Sequence, residues 1–149
     1  MNILRWLIFR RRPSAGAMQT IFMTRQMASH VGGQEMTPDH LLLALLSMQD
    51  AGVERILNLS CGRETLYRTL KNHCGTATVV APSVDMQMSR ALRAVIKAAR
   101  KESKLHSNEA VEPIHLLLGL LRTEATFATR LLAENGVTYN TAVPLIAEP

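Results

Sequence analysis

The chain has 149 residues, of which 47% are apolar and only 4% aromatic, and it carries a net charge of +5. This length suits one compact domain, and the aliphatic composition favours packed helices over a β-sandwich. Four of the positive charges come from Arg5, Arg10, Arg11 and Arg12, so the rest of the chain is close to neutral. Because we expect neither a basic stripe nor an aromatic stacking surface on that body, we predict no nucleic-acid partner.

Residues 1–13 form an N-terminal extension that differs from the rest of the chain. An apolar run over residues 3–9 is far shorter than the ~20 residues that span a bilayer, and the basic residues follow it, opposite to the order in a secretory signal. Three interpretations are open: a docking peptide for another protein, an incidental extension that is partly disordered, or an interfacial membrane anchor. In the anchor, Trp6 and Phe9 would lie at the lipid boundary and the arginines on anionic head groups: Arg10, Arg11 and Arg12.

Apolar spacing and capping residues predict four helices in a first repeat, residues 14–74. Ser14 is a suitable N-cap for the first helix. Pro38 occupies the first position of the second, where its missing N–H costs nothing. That second helix is apolar all round and is therefore predicted to be buried at the centre of a bundle, with Leu42 inside. The predicted helices cover residues 14–30, 38–46, 52–59 and 63–73.

A nearly uncharged connector over residues 75–88 leads to a second repeat, residues 89–149. Ser89 is predicted to cap its first helix, and Pro144 is expected to interrupt its last. No segment shows sustained period-two alternation, so we expect no sheet. The predicted helices cover residues 89–105, 113–121, 126–134 and 137–146.

The two halves carry the same motif. Residues 37–46, TPDHLLLALL, recur as residues 112–121, EPIHLLLGLL, which places Pro38 and Pro113 75 positions apart. The same offset aligns Ser14 with Ser89 and Arg25 with Arg100. A fixed offset over most of the chain indicates an internal duplication. We therefore predict an all-α fold with two pseudo-symmetric four-helix repeats in one compact domain.

The sequence contains no phosphate-binding loop, zinc-protease motif or nucleophile elbow. We therefore predict no enzymatic activity, no cofactor and no catalytic residue. His40 and His115 occupy equivalent positions at the start of a buried helix, where a neutral imidazole can bond the neighbouring backbone. A metal site built on these two histidines lacks a third ligand. Cys61 and Cys74 are not arranged as a Cys-x-x-Cys pair and are expected to be free thiols in the cytoplasm.

Asp39, Ser14 and Ser89 each have two interpretations. Asp39 lies in a first helical turn, where a carboxylate stabilises the positive end of the helix dipole, but it could also face a cationic ligand. Ser14 and Ser89 are good helix caps, and their hydroxyls could instead bind a ligand.

The paired motifs resemble the N-terminal domain of the Clp ATPase chaperones, built from two Clp N repeats, over roughly residues 14–147. The resemblance implies an all-α, pseudo-two-fold arrangement of eight helices, which recruits substrates and adaptors for the unfolding motor. The ATPase modules of those chaperones are absent from this sequence, so it resembles a stand-alone or excised domain. Stand-alone relatives act as accessory or regulatory partners of the Clp machinery.

The resemblance also implies a ligand site. In ClpC-type domains, the acidic residue before each repeat's histidine binds phosphoarginine, aided by a hydroxyl at the start of the first helix. Asp39 and Ser14 match this pattern in the first repeat. In the second, Ser89 matches but Ile114 replaces the acid, which removes the counter-charge for a guanidinium. We therefore expect at most one phosphoarginine-like site, with Ser14, Asp39 and Ser89 as its candidate residues.

The predicted function is a non-enzymatic, cytoplasmic protein-binding module that recognises substrates, adaptors or the Clp ATPase in regulated proteolysis. The alternative is a scaffold tethered to the membrane surface through residues 1–12.

Overall fold

The computed structural model describes residues 12–60, 62–75, 86–106, 108–123 and 126–146. Within these residues the chain forms eight helices, four in each repeat, as predicted. In the first repeat they are α1 (Ala15–His30), α2 (Pro38–Ser47), α3 (Ala51–Leu57) and α4 (Arg63–Cys74). In the second they are α5 (Arg90–Leu105), α6 (Pro113–Arg122), α7 (Phe127–Glu134) and α8 (Tyr139–Ile146). Pro144 lies within α8 and does not interrupt it, contrary to expectation.

The first helix of each repeat begins at the predicted serine. The Ser14 side chain accepts a hydrogen bond from the backbone N–H of Ala17, and the Ser89 side chain accepts one from Leu92. Each bond satisfies one of the N–H groups that a helix leaves unpaired at its start. α1 is followed by Gly32 with a φ of 72°, a left-handed conformation that glycine adopts without steric cost.

The second helix of each repeat, α2 or α6, lies in the core. Leu42 and Leu117 are both fully buried, as predicted. α5 approaches α6 so closely that a Cβ built on Gly119 would lie 2.5 Å from the carbonyl oxygen of Val95. The first repeat has Ala44 at the equivalent position, so the close approach is particular to the second repeat.

The expectation of no sheet is wrong in one detail. Two short strands, β1 (Glu35–Met36) and β2 (Gln87–Met88), pair in parallel, with Met36 opposite Met88. Strands of two residues are too short to produce an alternating pattern in the sequence. An isolated parallel bridge joins Pro13 to Val111, and these two residues are the repeat equivalents of Met88 and Met36.

These pairings join the two repeats reciprocally. The backbone N–H of Ser89 donates to the carbonyl of Met36 at 2.8 Å, and that of Ser14 donates to the carbonyl of Val111 at 2.9 Å. The first helix of each repeat therefore begins against the segment that leads to the second helix of the other. The two repeats therefore pack together, and a pseudo-two-fold rotation relates one repeat to the other.

Candidate functional site

The carboxylate of Asp39, in the first turn of α2, reaches across the boundary between the repeats. Its Oδ1 accepts a hydrogen bond from the backbone N–H of Ala128 in α7, at 3.0 Å. Its Oδ2 lies 3.7 Å from Nε2 of His73, at the end of α4. The side chain is 21% exposed. Asp39 therefore stabilises the start of α7 as well as its own helix.

An aromatic stack adjoins this carboxylate. The rings of His73 and Phe127 are stacked and nearly parallel, with centroids 3.5 Å apart and an interplanar angle of 5°. Burial, and secondarily the Asp39 charge, raise the pKa of the Cys74 thiol to about 11, so the thiol stays protonated near neutral pH. The sequence does not associate His73, Phe127 or Cys74 with Asp39, because only the packing of α2 against α4 and α7 brings them together.

Each of the two candidate serines is hydrogen-bonded to the other repeat. Ser89 is bonded to Met36, three residues before Asp39, whereas Ser14 is bonded to Val111, three residues before Ile114. Ser89 therefore begins its helix near the Asp39 turn, although the two residues belong to different repeats. Ser14, the same-repeat partner of Asp39 in the sequence, begins its helix beside the Ile114 turn.

His40 and His115 have the predicted structural role. Nδ1 of His40 accepts the backbone N–H of Thr37 at 3.0 Å, and Nδ1 of His115 accepts that of Glu112 at 2.8 Å. An Nδ1 acceptor requires a neutral ring that carries its proton on Nε2. Burial lowers the pKa of His40, with a smaller opposing effect from the Asp39 charge, and so favours that neutral form.

Ile114 occupies the position equivalent to Asp39, and it is a partly buried side chain that packs against the hydrophobic core. A Cβ built on Gly52, in α3, would lie 3.1 Å from Cδ1 of Ile114, so the side chain packs directly on the start of α3. α3 has its own carboxylate cap, because Oδ1 of Asp50 accepts the backbone N–H of Val53 at 3.0 Å. The start of α3 therefore does not need the charge that Asp39 supplies to α7.

The second repeat contains a buried carboxylate, that of Glu102, which the sequence patterns described above do not single out. Glu102 is fully buried in α5, and the hydroxyl of Tyr139 lies 3.0 Å from both of its carboxylate oxygens. Nε of Arg122 lies 2.6 Å from Oε1, and Nε2 of His106 lies 3.4 Å from Oε2. The hydrogen bond with Tyr139 raises the pKa of Arg122, as does the charge of Glu102, against an opposing effect of burial.

This network ties α6 and α8 to α5. The sequence signal for it was available, since Glu102 is the one acidic residue of α5 and falls on the apolar stripe of that helix. The equivalent position in the first repeat is Met27, whose sulfur lies 3.9 Å from the hydroxyl of Tyr67. The fold is therefore compatible with a thioether at this position, and the charged network is specific to the second repeat.

The family model for the Clp repeat (R) N-terminal domain matches residues 12–135. The chain belongs to this family. Clp N domains serve as interaction modules in Clp and Hsp100 ATPases. The site around Asp39 and the buried network around Glu102 are therefore features of a Clp N domain.

Solved structures agree with this assignment of the fold. The Clp N domain is similar to the N-terminal domain of Hsp104 from Candida albicans, with 18% identity, a TM-score of 0.74 and coverage of 91% of this chain and 89% of that one. It is also similar to a structure from preliminary investigations of a malarial protein secretion system, with 17% identity, a TM-score of 0.76 and coverage of 90% and 91%. The N-terminal domain of the caseinolytic-protease-associated chaperone ClpD from Arabidopsis thaliana has 20% identity, a TM-score of 0.60 and coverage of 90% and 94%.

The expected absence of a basic stripe from the body of the Clp N domain is wrong. α5 carries a row of exposed basic side chains with the spacing of one helix face: Arg90, Arg93, Lys97, Lys101 and Lys104. The net charge of the whole body does not show this row, because acidic residues elsewhere balance the charge of α5. Periodic spacing within α5 would have revealed the row.

The candidate contacts of the N-terminal extension fall mostly outside the described residues. This applies to Trp6, Phe9, Arg10 and Arg11. Arg12 is described and exposed, and its carbonyl accepts the backbone N–H of Val111 at 3.0 Å. Within the described part of the Clp N domain, no helix is long and apolar enough to cross a membrane, and no group of three or more His, Cys, Asp or Glu could hold a metal ion.

Proposed function

We propose that this Clp N domain is a non-enzymatic protein-binding module that recognises substrate polypeptides, adaptors or a Clp ATPase in regulated proteolysis and protein quality control. The family match over residues 12–135 carries the proposal. The reciprocal hydrogen bonds of Ser14 and Ser89 support it, because they join the two repeats, which can then present a common surface to a partner. A cytoplasmic location is part of the proposal, since the free thiol of Cys74 suits a reducing compartment.

The ligand site that we propose within this module is centred on Asp39 and takes a phosphoarginine-like group. The carboxylate edge offers the counter-charge, and the His73–Phe127 stack offers a flat surface of the kind on which a guanidinium stacks. The backbone N–H of Ser89 donates to the carbonyl of Met36, so α5 begins near the same turn, and we propose Ser89 rather than Ser14 as the serine of this site. Ile114 gives the second repeat no equivalent charge. We therefore propose one site.

Affinity capture tests the protein-binding function. The immobilised chain is exposed to extract of its own cells, and the retained proteins are quantified by mass spectrometry against a surface carrying an unrelated helical protein of similar charge. We expect enrichment of Clp ATPase subunits, adaptors or unfolded substrates. Equal recovery of all proteins from both surfaces would contradict the proposal.

The membrane-tethered scaffold stays a prediction for residues 1–12. Sedimentation with anionic vesicles tests it, with the chain lacking those residues as the matched control. If residues 1–12 are a tether, we expect the full chain to pellet with the vesicles and the shortened chain to stay in the supernatant.

A further inference from the structure

The exposed face of α5 carries more positive charge than the stability of a helix favours. Arg93 and Lys97, like Lys97 and Lys101, are four residues apart, and such like-charged pairs destabilise a helix. Arg90 is the first residue of α5, where the helix dipole is positive and a cation is unfavourable. Within the described residues, no ion pair joins Arg93, Lys97 or Lys101 to an acid. The charges of Arg90, Arg93, Lys97 and Lys101 therefore do not stabilise the helix itself, in contrast to Lys104 in its last turn.

The duplication provides an internal comparison for this face. α1 is the equivalent helix of the first repeat, and its residues at the five basic positions are Ala15, Met18, Phe22, Gln26 and Ser29. None of these five is charged, yet α1 has the same length as α5 and begins with the same serine cap. The fold therefore does not require basic residues at these positions.

A cavity interrupts the basic row near its middle. It has a volume of about 310 Å³ and is lined by Arg93, Ala94, Ile96, Lys97 and Arg100. Ile96 belongs to the hydrophobic core, whereas Ala94 is exposed, so aliphatic carbon lies between the charged side chains. A ligand for this face is therefore expected to carry an apolar group among its negative charges.

We propose that the exposed face of α5 binds an acidic segment of a partner polypeptide, with one aliphatic side chain of that segment in the cavity between Arg93 and Lys97. The inference rests on the proposed function, because it specifies the chemistry of the protein partner. From Arg90 to Lys104 the row is about 21 Å long at the rise of an α-helix, which matches six to seven residues of extended chain at about 3.3 Å each.

The face suits a polypeptide better than a nucleic acid or a bilayer. α5 contains no aromatic residue on which a base could stack. Its apolar stripe is buried, so it cannot insert into lipid as an interfacial helix does, and Leu105 at the helix end is its single large exposed apolar side chain. An acidic peptide supplies both the row of carboxylates and the aliphatic group for the cavity.

Fluorescence anisotropy of the full chain with a labelled peptide, made of glutamates around one central leucine, tests the inference at physiological salt. We expect saturable binding that Arg93→Glu/Lys97→Glu weakens at least about tenfold, and that Arg93→Gln/Lys97→Gln weakens by a smaller factor. Replacing the central leucine of the peptide by glycine should weaken binding about fivefold. The matched control is Arg68→Glu/Arg130→Glu, which makes the same charge change on α4 and α7 and should leave the affinity within about twofold.

Equal affinity of all four proteins for the glutamate peptide would overturn the inference. Tighter binding of the α5 face to duplex DNA or to phosphatidylserine vesicles, in competition with the peptide, would also overturn it and would identify the other class of ligand. Affinity capture with the same variants separates this inference from the proposed function. If Arg93→Glu/Lys97→Glu retains every protein that the wild-type chain captures, the protein-binding function stands and the α5 surface is excluded.

Discussion

The carboxylate of Asp39 and the backbone N–H of Ala128 form a 3.0 Å hydrogen bond between the two repeats. The equivalent of Ala128 in the first repeat is Val53, whose N–H is satisfied locally by Asp50 at the same distance. The residue equivalent to Asp50 in the second repeat is Ala125, which has no carboxylate. The carboxylate at the start of α7 therefore comes from the first repeat, whereas α3 has a carboxylate of its own at its N-cap. Asp39 consequently has a structural role whether or not it binds a ligand.

We expect Asp39→Asn to lower the free energy of unfolding by about 0.3–1 kcal/mol, because an amide oxygen can still accept the Ala128 bond but brings no charge to the start of α7. Urea denaturation measures the change. Asp50→Asn is the matched control, with an effect of similar size at Val53. No change for Asp39→Asn, beside a normal loss for Asp50→Asn, would indicate that the contact between the repeats contributes nothing to stability.

The ligand proposal predicts one binding site for free phosphoarginine. In a titration followed by NMR, we expect shifts confined to amides near Asp39, His73 and Phe127, with none near Ile114. Asp39→Asn should weaken binding about tenfold or more, because a charge-assisted bond contributes about 1.5–3 kcal/mol. Ile114→Glu should add a second set of shifts. The absence of shifts near Asp39 at millimolar ligand would restrict that carboxylate to its structural role.

We expect His40 to make the free energy of unfolding dependent on pH. Because burial holds the pKa of folded His40 below its ordinary value of about 6.5, the unfolded chain takes up a proton there more readily than the folded one. The stability contributed by the neutral ring is fully present above about pH 6.5 and is lost as the pH falls through the folded pKa. Urea denaturation at several pH values should show a steeper acid loss for the wild type than for His40→Gln. Identical pH dependence would contradict this role of His40.

The close approach of α5 to α6 predicts the effect of one added methyl group. Gly119→Ala should lower the free energy of unfolding by about 1–3 kcal/mol, since the new Cβ would lie 2.5 Å from the carbonyl oxygen of Val95 and force the helices apart. At the equivalent position of the first repeat, Ala44→Gly should cost about 0.5–1 kcal/mol through the lower helix propensity of glycine. A Gly119→Ala variant as stable as the wild type in thermal melts would contradict the observed packing.

The helices and caps were predictable from the sequence because they depend on local patterns. Ser14 and Ser89 precede amphipathic segments, and the apolar runs that contain Leu42 and Leu117 can only be buried. The parallel strands were not predictable, since two residues leave no period. The bond between Asp39 and Ala128 joins residues 89 positions apart and depends on how α2 meets α7, which no local pattern contains.

The basic face of α5 and the buried Glu102 were missed for a different reason. Both can be read from the spacing of residues along one helix, with Glu102 on the apolar stripe and Arg93 and Lys97 on the opposite face. A net charge that is summed over the body contains no information on where charged residues lie along a helix. The divergence of the two repeats is the more informative signal, because the equivalents of Glu102 and Lys97 in α1 are Met27 and Phe22.

A reconstituted degradation assay tests the central claim most directly. The purified chain is titrated into the Clp ATPase and peptidase of its own cells, and the degradation rate of an unfolded model substrate is measured. If the chain is a protein-binding module of the Clp N family, we expect a saturable change in that rate. The variant Arg93→Glu/Lys97→Glu should reduce this change, and the control variant Arg68→Glu/Arg130→Glu should preserve it. A degradation rate that stays constant at every concentration of the chain would contradict the claim that this domain acts through protein partners of the Clp machinery.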